Sequence, residues 1–258
     1  IMSMLAPTAV SPIRRMQIWD EVGGGVIHFD AADIAQPFLS QVVENGELVR
    51  QLWASLAAMP NVQWYCPAEV TAITSFASHA RVETTRGSFD AALVVGADGR
   101  HSTVREQLEI PVKTRCYQQR ACVAVVRSES PHRDTAYQSF LPSGPLGVLP
   151  LADSYHHAIV WSQAIAESAR CAALTESAWN CALTTALQQR LGVMKLVGAR
   201  QSIALAAREV SRWYEGRVVL VGDAAHTIHP LAGQGANLGM QDALLLAEMF
   251  SQPAILSR

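Results

Sequence analysis

The sequence predicts an α/β fold that carries a separate antiparallel sheet, and three features predict it. Twice, at 93–105 and at 217–250, a short β-branched run meets a glycine turn and opens into a helix-forming stretch. Between them, from Gln119 to Gln163, strand-like runs follow one another across turns such as Pro142-Ser143-Gly144-Pro145, the pattern of an antiparallel sheet. Apolar residues at helical spacing mark two further helices, Pro37 to Ala58 and Thr175 to Leu191.

In chain order, Met16 to Asp30 reads as a hairpin turned at Gly23-Gly24-Gly25. The helix over 37–58 carries Val42, Val43, Leu48, Leu52, Trp53 and Leu56 at helical spacing, and Val62 to Tyr65 reads as a short strand. Glu69 to Thr74 and Ala80 to Thr85 are paired strands turned at 75–79, and Phe89 to Val95 runs into the first glycine turn. Gln119 to Ser128, Ala136 to Leu141, Gly147 to Pro150 and His156 to Gln163 form the antiparallel succession. Trp179, Leu183 and Leu187 share one face of the helix over 175–191, and Ala199 to Ala207 returns as a strand. Val218 to Val221 is short and β-branched enough for a buried strand, and Leu238, Ala243, Leu246 and Phe250 have the spacing of an amphipathic helix.

With 258 residues the chain can bury a substantial core and hold one or two domains. A net charge of −2 with 16% charged residues gives no basic patch, so nucleic acid is not an expected partner. Half of the residues are hydrophobic and the mean hydropathy is slightly positive, which suits an apolar substrate; a partner surface or a missing segment would produce the same balance. No apolar run approaches membrane-spanning length. The five cysteines (Cys66, Cys116, Cys122, Cys171 and Cys181) lack metal-like spacing and fit reduced thiols of a cytosolic enzyme. The eight histidines are dispersed, and His156-His157 reads as a strand start rather than a metal site.

The chemistry concentrates between Arg217 and Phe250. A strand ends at Gly222-Asp223, and a small-residue loop passes through Pro230, Gly233 and Gly235 into the helix. A carboxylate, a glycine-lined loop and a helix N-terminus together make a site for a polar, partly anionic planar ligand. Gly233 and Gly235 carry no Cβ, so the backbone can come close. The free N–H groups at the positive end of the helix would face the ligand's negative charge.

This stretch resembles the second flavin-binding motif of the aromatic hydroxylases, the FAD monooxygenases related to p-hydroxybenzoate hydroxylase. Leu93 to Arg105, with Asp98-Gly99 at its turn, resembles the Asp-Gly motif of the same family. Three further segments, Pro12 to Asp20, His28 to Asp33 and Val43-Glu44-Asn45, are similar to the 2-polyprenylphenol hydroxylase-like enzymes of ubiquinone biosynthesis. The similarity runs from roughly Ser11 to Phe250, nearly all of the chain.

The resemblance implies a p-hydroxybenzoate hydroxylase-like fold: a Rossmann-like FAD-binding domain in two parts (37–115 and 208–258), an antiparallel substrate domain (116–207) and a hairpin of the substrate layer (1–36). It implies ring hydroxylation of a hydrophobic prenylated phenol, with FAD as cofactor, O2 and NAD(P)H as co-substrates, and a flavin hydroperoxide on the way. The location it implies is cytoplasmic, with association at the inner membrane or with a ubiquinone-biosynthesis complex left open. Family members begin with a Gly-x-Gly-x-x-Gly turn that holds the ADP part of FAD, and no such turn occurs here. The chain therefore reads as a middle portion of such a protein, lacking also the family's C-terminal region, and is expected to bind FAD poorly as written. Two rival functions stay open: a flavin monooxygenase acting on another aromatic or alkene, and a non-catalytic scaffold of a quinone-biosynthesis complex.

Residue roles follow from the same resemblance. Asp223, after Gly222, would accept a hydroxyl of the ribityl chain, where an ionised acceptor bonds more strongly than a neutral one; an N-cap or turn aspartate is the plain alternative. Gly235, Ala236 and Asn237, behind Gly233, would lay backbone N–H groups along the pyrimidine edge of the flavin. Pro230 would sit near the oxygen-reacting face, and His229 beside it is the candidate to face substrate, whereas His226 is expected to pack inside the loop. Asp98 and Arg105 would form the structural core of their turn and contact the pyrophosphate side, with a purely structural ion pair as the rival, and Asn45 would reach the phosphates from the first helix. Gly46, where the family carries a long polar residue, departs from the pattern. No nucleophile–base arrangement stands out, which suits a reaction whose hard step belongs to the cofactor.

Overall fold

The computed structural model describes residues 4–229 and 233–251. The chain opens with β1 (Val10–Ile13), β2 (Arg15–Asp20), β3 (Val26–Asp30), β4 (Ser40–Val43) and α1 (Asn45–Ala57). Next come β5 (Val70–Ser75), β6 (Ala80–Thr84), β7 (Gly87–Ala91), β8 (Val94–Gly96) and α2 (Thr103–Gln107). β9 (Val112–Ser128), β10 (Thr135–Leu141), β11 (Gly144–Pro150), β12 (His156–Ala164), α3 (Ile165–Ala172), α4 (Glu176–Ala186) and β13 (Met194–Val210) follow. The chain ends in β14 (Tyr214–Glu215), β15 (Val218–Leu220), β16 (His226–Thr227) and α5 (Gln234–Phe250).

These elements group into two compact units, 1–62 with 118–204, and 63–117 with 205–258. The sequence boundaries at 115/116 and 207/208 lie within three residues of these limits, whereas 37–62, expected with the cofactor part, groups with the first unit. In that first unit the sheet order is β13-β9-β12-β11-β10-β2-β3. Its neighbours are antiparallel from β9 to β11, as the turn spacing predicts, while β2 lies parallel to β10. The β2–β3 hairpin turns through the glycine cluster as expected. Trp179, Leu183 and Leu187 are buried against Val126, Leu146, Val148, Ile159 and Met194. Burying a side chain of that size stabilises by about 1.5–3 kcal/mol relative to exposure, enough to dock α4 on the sheet by one face.

In the second unit β8 pairs parallel with β15, Val94 opposite Val218 and Gly96 opposite Leu220, and β14 completes that small sheet. β5, β6 and β7 form an antiparallel meander. The end of β13 pairs with β16. Val104 of α2 packs with Val218 and Leu220 of β15, and with Ala224 and Ala225 beyond it, in one core.

Four local expectations are corrected. The helix expected over 37–58 begins only at Asn45, because Ser40–Val43 pairs antiparallel with β1 and the β-branched Val42 and Val43 suit that strand. Val62 to Tyr65 has no strand partner; Trp64 and Tyr65 are exposed, and the Tyr65 ring packs on Phe89 at 4.4 Å. The helix expected to reach Leu191 stops at Ala186, where Gln188 and Gln189 turn to φ of 50° and 54°. α3 has no counterpart in the sequence reading.

Candidate functional site

The candidate residues of the second unit gather on two strand–turn–helix segments joined by the parallel β8–β15 pair. The first turn is tight for a steric reason. A Cβ on Gly96 would lie 2.7 Å from Leu220 Cδ2 and 2.9 Å from Val104 Cγ1, so only glycine lets α2 and β15 close on β8. Gly99 follows at φ +81° and reverses the chain. The Val104 amide donates to Asp98 Oδ2 (3.0 Å) and the Arg105 amide to Ser102 Oγ (3.0 Å), which satisfies donors that a helix start leaves open.

Asp98 and Arg105 do not pair with each other. The buried guanidinium of Arg105 donates to the Ala224 carbonyl (3.0 Å) and to the Arg100 carbonyl (3.1 Å). Arg105 thus fastens the first segment to the residue directly after Asp223. Beside Asp98 opens a cleft of about 700 Å³ whose wall includes Val70, Ile73, Val82, Val94 and Val104.

The second segment leaves β15 through Gly222, at φ +59°, into a single 3-10 turn over Gly222–Ala224. Asp223 sits exposed in this turn, and among the described residues its carboxylate accepts no hydrogen bond. The alternative role as an N-cap of the helix is not realised, because the N-cap of α5 is Gly233, at φ 63°. Among the described residues no side chain caps that helix, its first turn holds no acidic residue, and none of them takes the leading N–H groups at its positive end. A Cβ added at Gly233 or Gly235 would meet nothing within 4 Å. Gly233 has its backbone angle as a reason to be glycine; Gly235 has none among the described residues. Ala236 and Asn237 are exposed on the same turn, and the Asn237 amide reaches back to the Gly233 carbonyl at 3.5 Å.

Two residues unremarked in the sequence hold this segment in shape. Asp242, on α5, accepts both the Gly222 amide (2.8 Å) and Nε2 of His226 (2.6 Å) on one oxygen, Oδ2. Gly239, one turn earlier, brings α5 against the turn so closely that a Cβ there would lie 3.2 Å from Gly222 Cα. The signal was available: a glycine and a carboxylate three apart, Gly239 and Asp242, on one face of the helix. His226, its ring tilted against Trp213 at 5.0 Å, is engaged inside this segment as expected. His229 is half-buried with Tyr117 edge-on at 4.8 Å, and burial lowers its pKa below the usual imidazole value. Pro230 lies outside the described residues. Asn45, exposed at the first position of α1, belongs to the other unit.

An exposed carboxylate, an uncapped helix start and open glycines suit a flat, polar ligand with anionic character. Comparison with known proteins names such a ligand. A family profile described as "FAD binding domain" matches residues 25–254. This chain belongs to that family. It is 34% identical over 239 residues to the 3-demethoxyubiquinol 3-hydroxylase of Escherichia coli (strain K12), covering 92% of this chain and 60% of that protein. It is also 34% identical over 238 residues to the ubiquinone hydroxylase UbiL of Rhodospirillum rubrum, covering 92% of this chain and 55% of that protein. The chain thus spans between about half and two thirds of the length of these relatives. Among solved structures, pqsL, a probable FAD-dependent monooxygenase from Pseudomonas aeruginosa, superposes with a TM-score of 0.81 at 20% identity, over 97% of this chain and 71% of that one. The expected α/β fold with its antiparallel sheet is therefore the family's fold.

Proposed function

We propose that the protein acts as an FAD-dependent monooxygenase that hydroxylates the aromatic ring of a hydrophobic prenylated phenol in ubiquinone biosynthesis. Dioxygen is the oxygen source and NAD(P)H the reductant. The observation that carries this reading is the first turn of α5, uncapped and with open space above Gly235, in a chain of the FAD binding domain family. Glycine costs a helix about 1 kcal/mol relative to alanine, and among the described residues nothing near Gly235 requires it. A flat ring lying on the backbone does.

FAD, when bound, supplies the redox and oxygen chemistry; the residues orient it and tune its charge. Asp223 accepts a hydroxyl of the ribityl chain. The N–H groups of Gly235, Ala236 and Asn237, behind Gly222 and Gly233, face the pyrimidine edge and favour negative charge there. Asp98 serves the phosphate side, while Arg105 holds the turn that carries Asp223. His229, whose pKa burial lowers below the usual imidazole value, would accept the phenol proton.

The substrate class rests on the names of the relatives, both of which act on ubiquinone or its precursor. Among the described residues no helix is long and apolar enough to cross a membrane. A prenylated phenol partitions into lipid, and in this reading a cytoplasmic enzyme meets its substrate at the inner-membrane surface or within a ubiquinone-biosynthesis complex. The test is NAD(P)H oxidation by the full-length protein loaded with FAD. A prenylated phenol should speed it and yield a product one oxygen atom heavier. Equal rates with unprenylated aromatics, or reduced flavin without a hydroxylated product, would overturn the substrate assignment.

A further inference from the structure

Asp223 and the first turn of α5 belong to different elements, and a ligand spanning both requires their spacing to be fixed before it arrives. The chain fixes it through the helix. Asp242 lies two turns into α5, and its Oδ2 accepts the Gly222 amide at 2.8 Å and His226 Nε2 at 2.6 Å. The residues it ties stand on either side of Asp223, one directly before it and one three after. Gly239, on the same helix, closes to backbone contact with Gly222. The bonds are partly shielded from water, the side chains of His226 and Asp242 being 12% and 15% exposed.

We propose that Asp242 is the positioning residue of the site: with His226 as its second partner, it locks the Asp223 turn to α5 so that carboxylate and helix amides meet the flavin as one preformed surface. This rests on the functional reading above. Asp242 touches no ligand itself and acts by preorganisation, which lowers the ordering cost of binding.

The test uses the full-length protein with D242L, D242N and H226Q, all measured well below each variant's melting transition. D242L removes both acceptors at similar size; D242N keeps one neutral carbonyl that still takes the Gly222 amide. In the flavin-free protein, hydrogen exchange at the Gly222 amide should quicken at least tenfold in D242L and less in D242N. FAD titration should show the dissociation constant rising about tenfold in D242L, with D242N between it and the wild type, and the bound flavin's visible band should shift. H226Q should weaken FAD binding without freeing the Gly222 amide, which keeps the inference testable if D242L does not fold. A role in stability alone lowers the melting temperature and leaves the affinity and flavin spectrum below it unchanged, and that result would overturn the inference. Wild-type protein that takes up no FAD would overturn the functional reading and this inference with it. Wild-type binding that D242L and H226Q leave untouched would overturn this inference alone.

Discussion

His226 Nε2 and Asp242 Oδ2 lie 2.6 Å apart, and this bond joins the segment after β15 to the third turn of α5. The same oxygen takes the Gly222 amide, so the turn holding Asp223 is braced from the helix that supplies the site's amides. The residue that organises the site is therefore distinct from those that would touch a ligand, and the two classes predict different mutational signatures.

Gly235→Ala should separate binding from folding. The added Cβ meets no protein atom within 4 Å, and alanine raises helix stability by up to about 1 kcal/mol. Thermal denaturation should show an equal or higher melting temperature, while FAD affinity drops severalfold. Equal affinity in the variant would mean that nothing lies over that turn.

Asp223→Asn should leave stability within about 0.5 kcal/mol, as is usual for an exposed side chain without partners. Asn keeps a neutral acceptor and loses only the charge assistance, so FAD binding should weaken by about 1 kcal/mol, roughly fivefold. Fluorescence titration and urea denaturation of the same sample read both quantities. An Asp223→Asn protein that loses stability rather than affinity would return the residue to a structural role.

Arg105→Met behaves in the opposite way. The stem remains, but the Ala224 and Arg100 carbonyls lose their donor. Leaving a buried acceptor unsatisfied costs about 1–3 kcal/mol, so the urea midpoint should fall. An unchanged midpoint would show that the guanidinium does not brace the turn.

Stability should also depend on pH through His157, far from the site in sequence. Burial, then the neighbouring His132 and His156, lowers its pKa to about 4; Ser128 Oγ lies 2.8 Å from its Nε2. A folded-state pKa below the unfolded value of about 6.5 means that the unfolded chain binds the proton more readily. The stability contribution is complete above about pH 6.5 and is lost as pH falls toward 4, at up to about 1.4 kcal/mol per pH unit. Urea midpoints between pH 7 and 4 measure this slope, and in His157→Gln that part of the slope should vanish. An identical slope in the variant would assign the effect to other groups.

Much of the architecture was legible because it is written in local periodicity. Alternation and turn residues marked the strands from β9 to β12, and Trp179, Leu183 and Leu187 marked the buried face of α4. Glycines marked the turns at Gly99 and Gly222. What periodicity could not reveal depended on distant partners. Ser40–Val43 is a strand only because β1 lies beside it. Val42 and Val43 suit a helical stripe and a strand equally. Asp242 carries no signal of its own in the helical pattern; its role needs Gly222, 20 residues earlier in the chain, to be brought to it. Arg105 looked like a ligand for phosphate or for Asp98, and its carbonyl partners come from chain reversal and from a segment 119 residues away.

The central claim is that FAD rests its ring system on the first turn of α5, and titration of the full-length protein with FAD tests it most directly. The account predicts saturable uptake with a yellow bound species, weakened by Gly235→Ala at undiminished stability. A wild-type protein that stays colourless with excess FAD, or a Gly235→Ala variant that binds as tightly as the wild type, would contradict it.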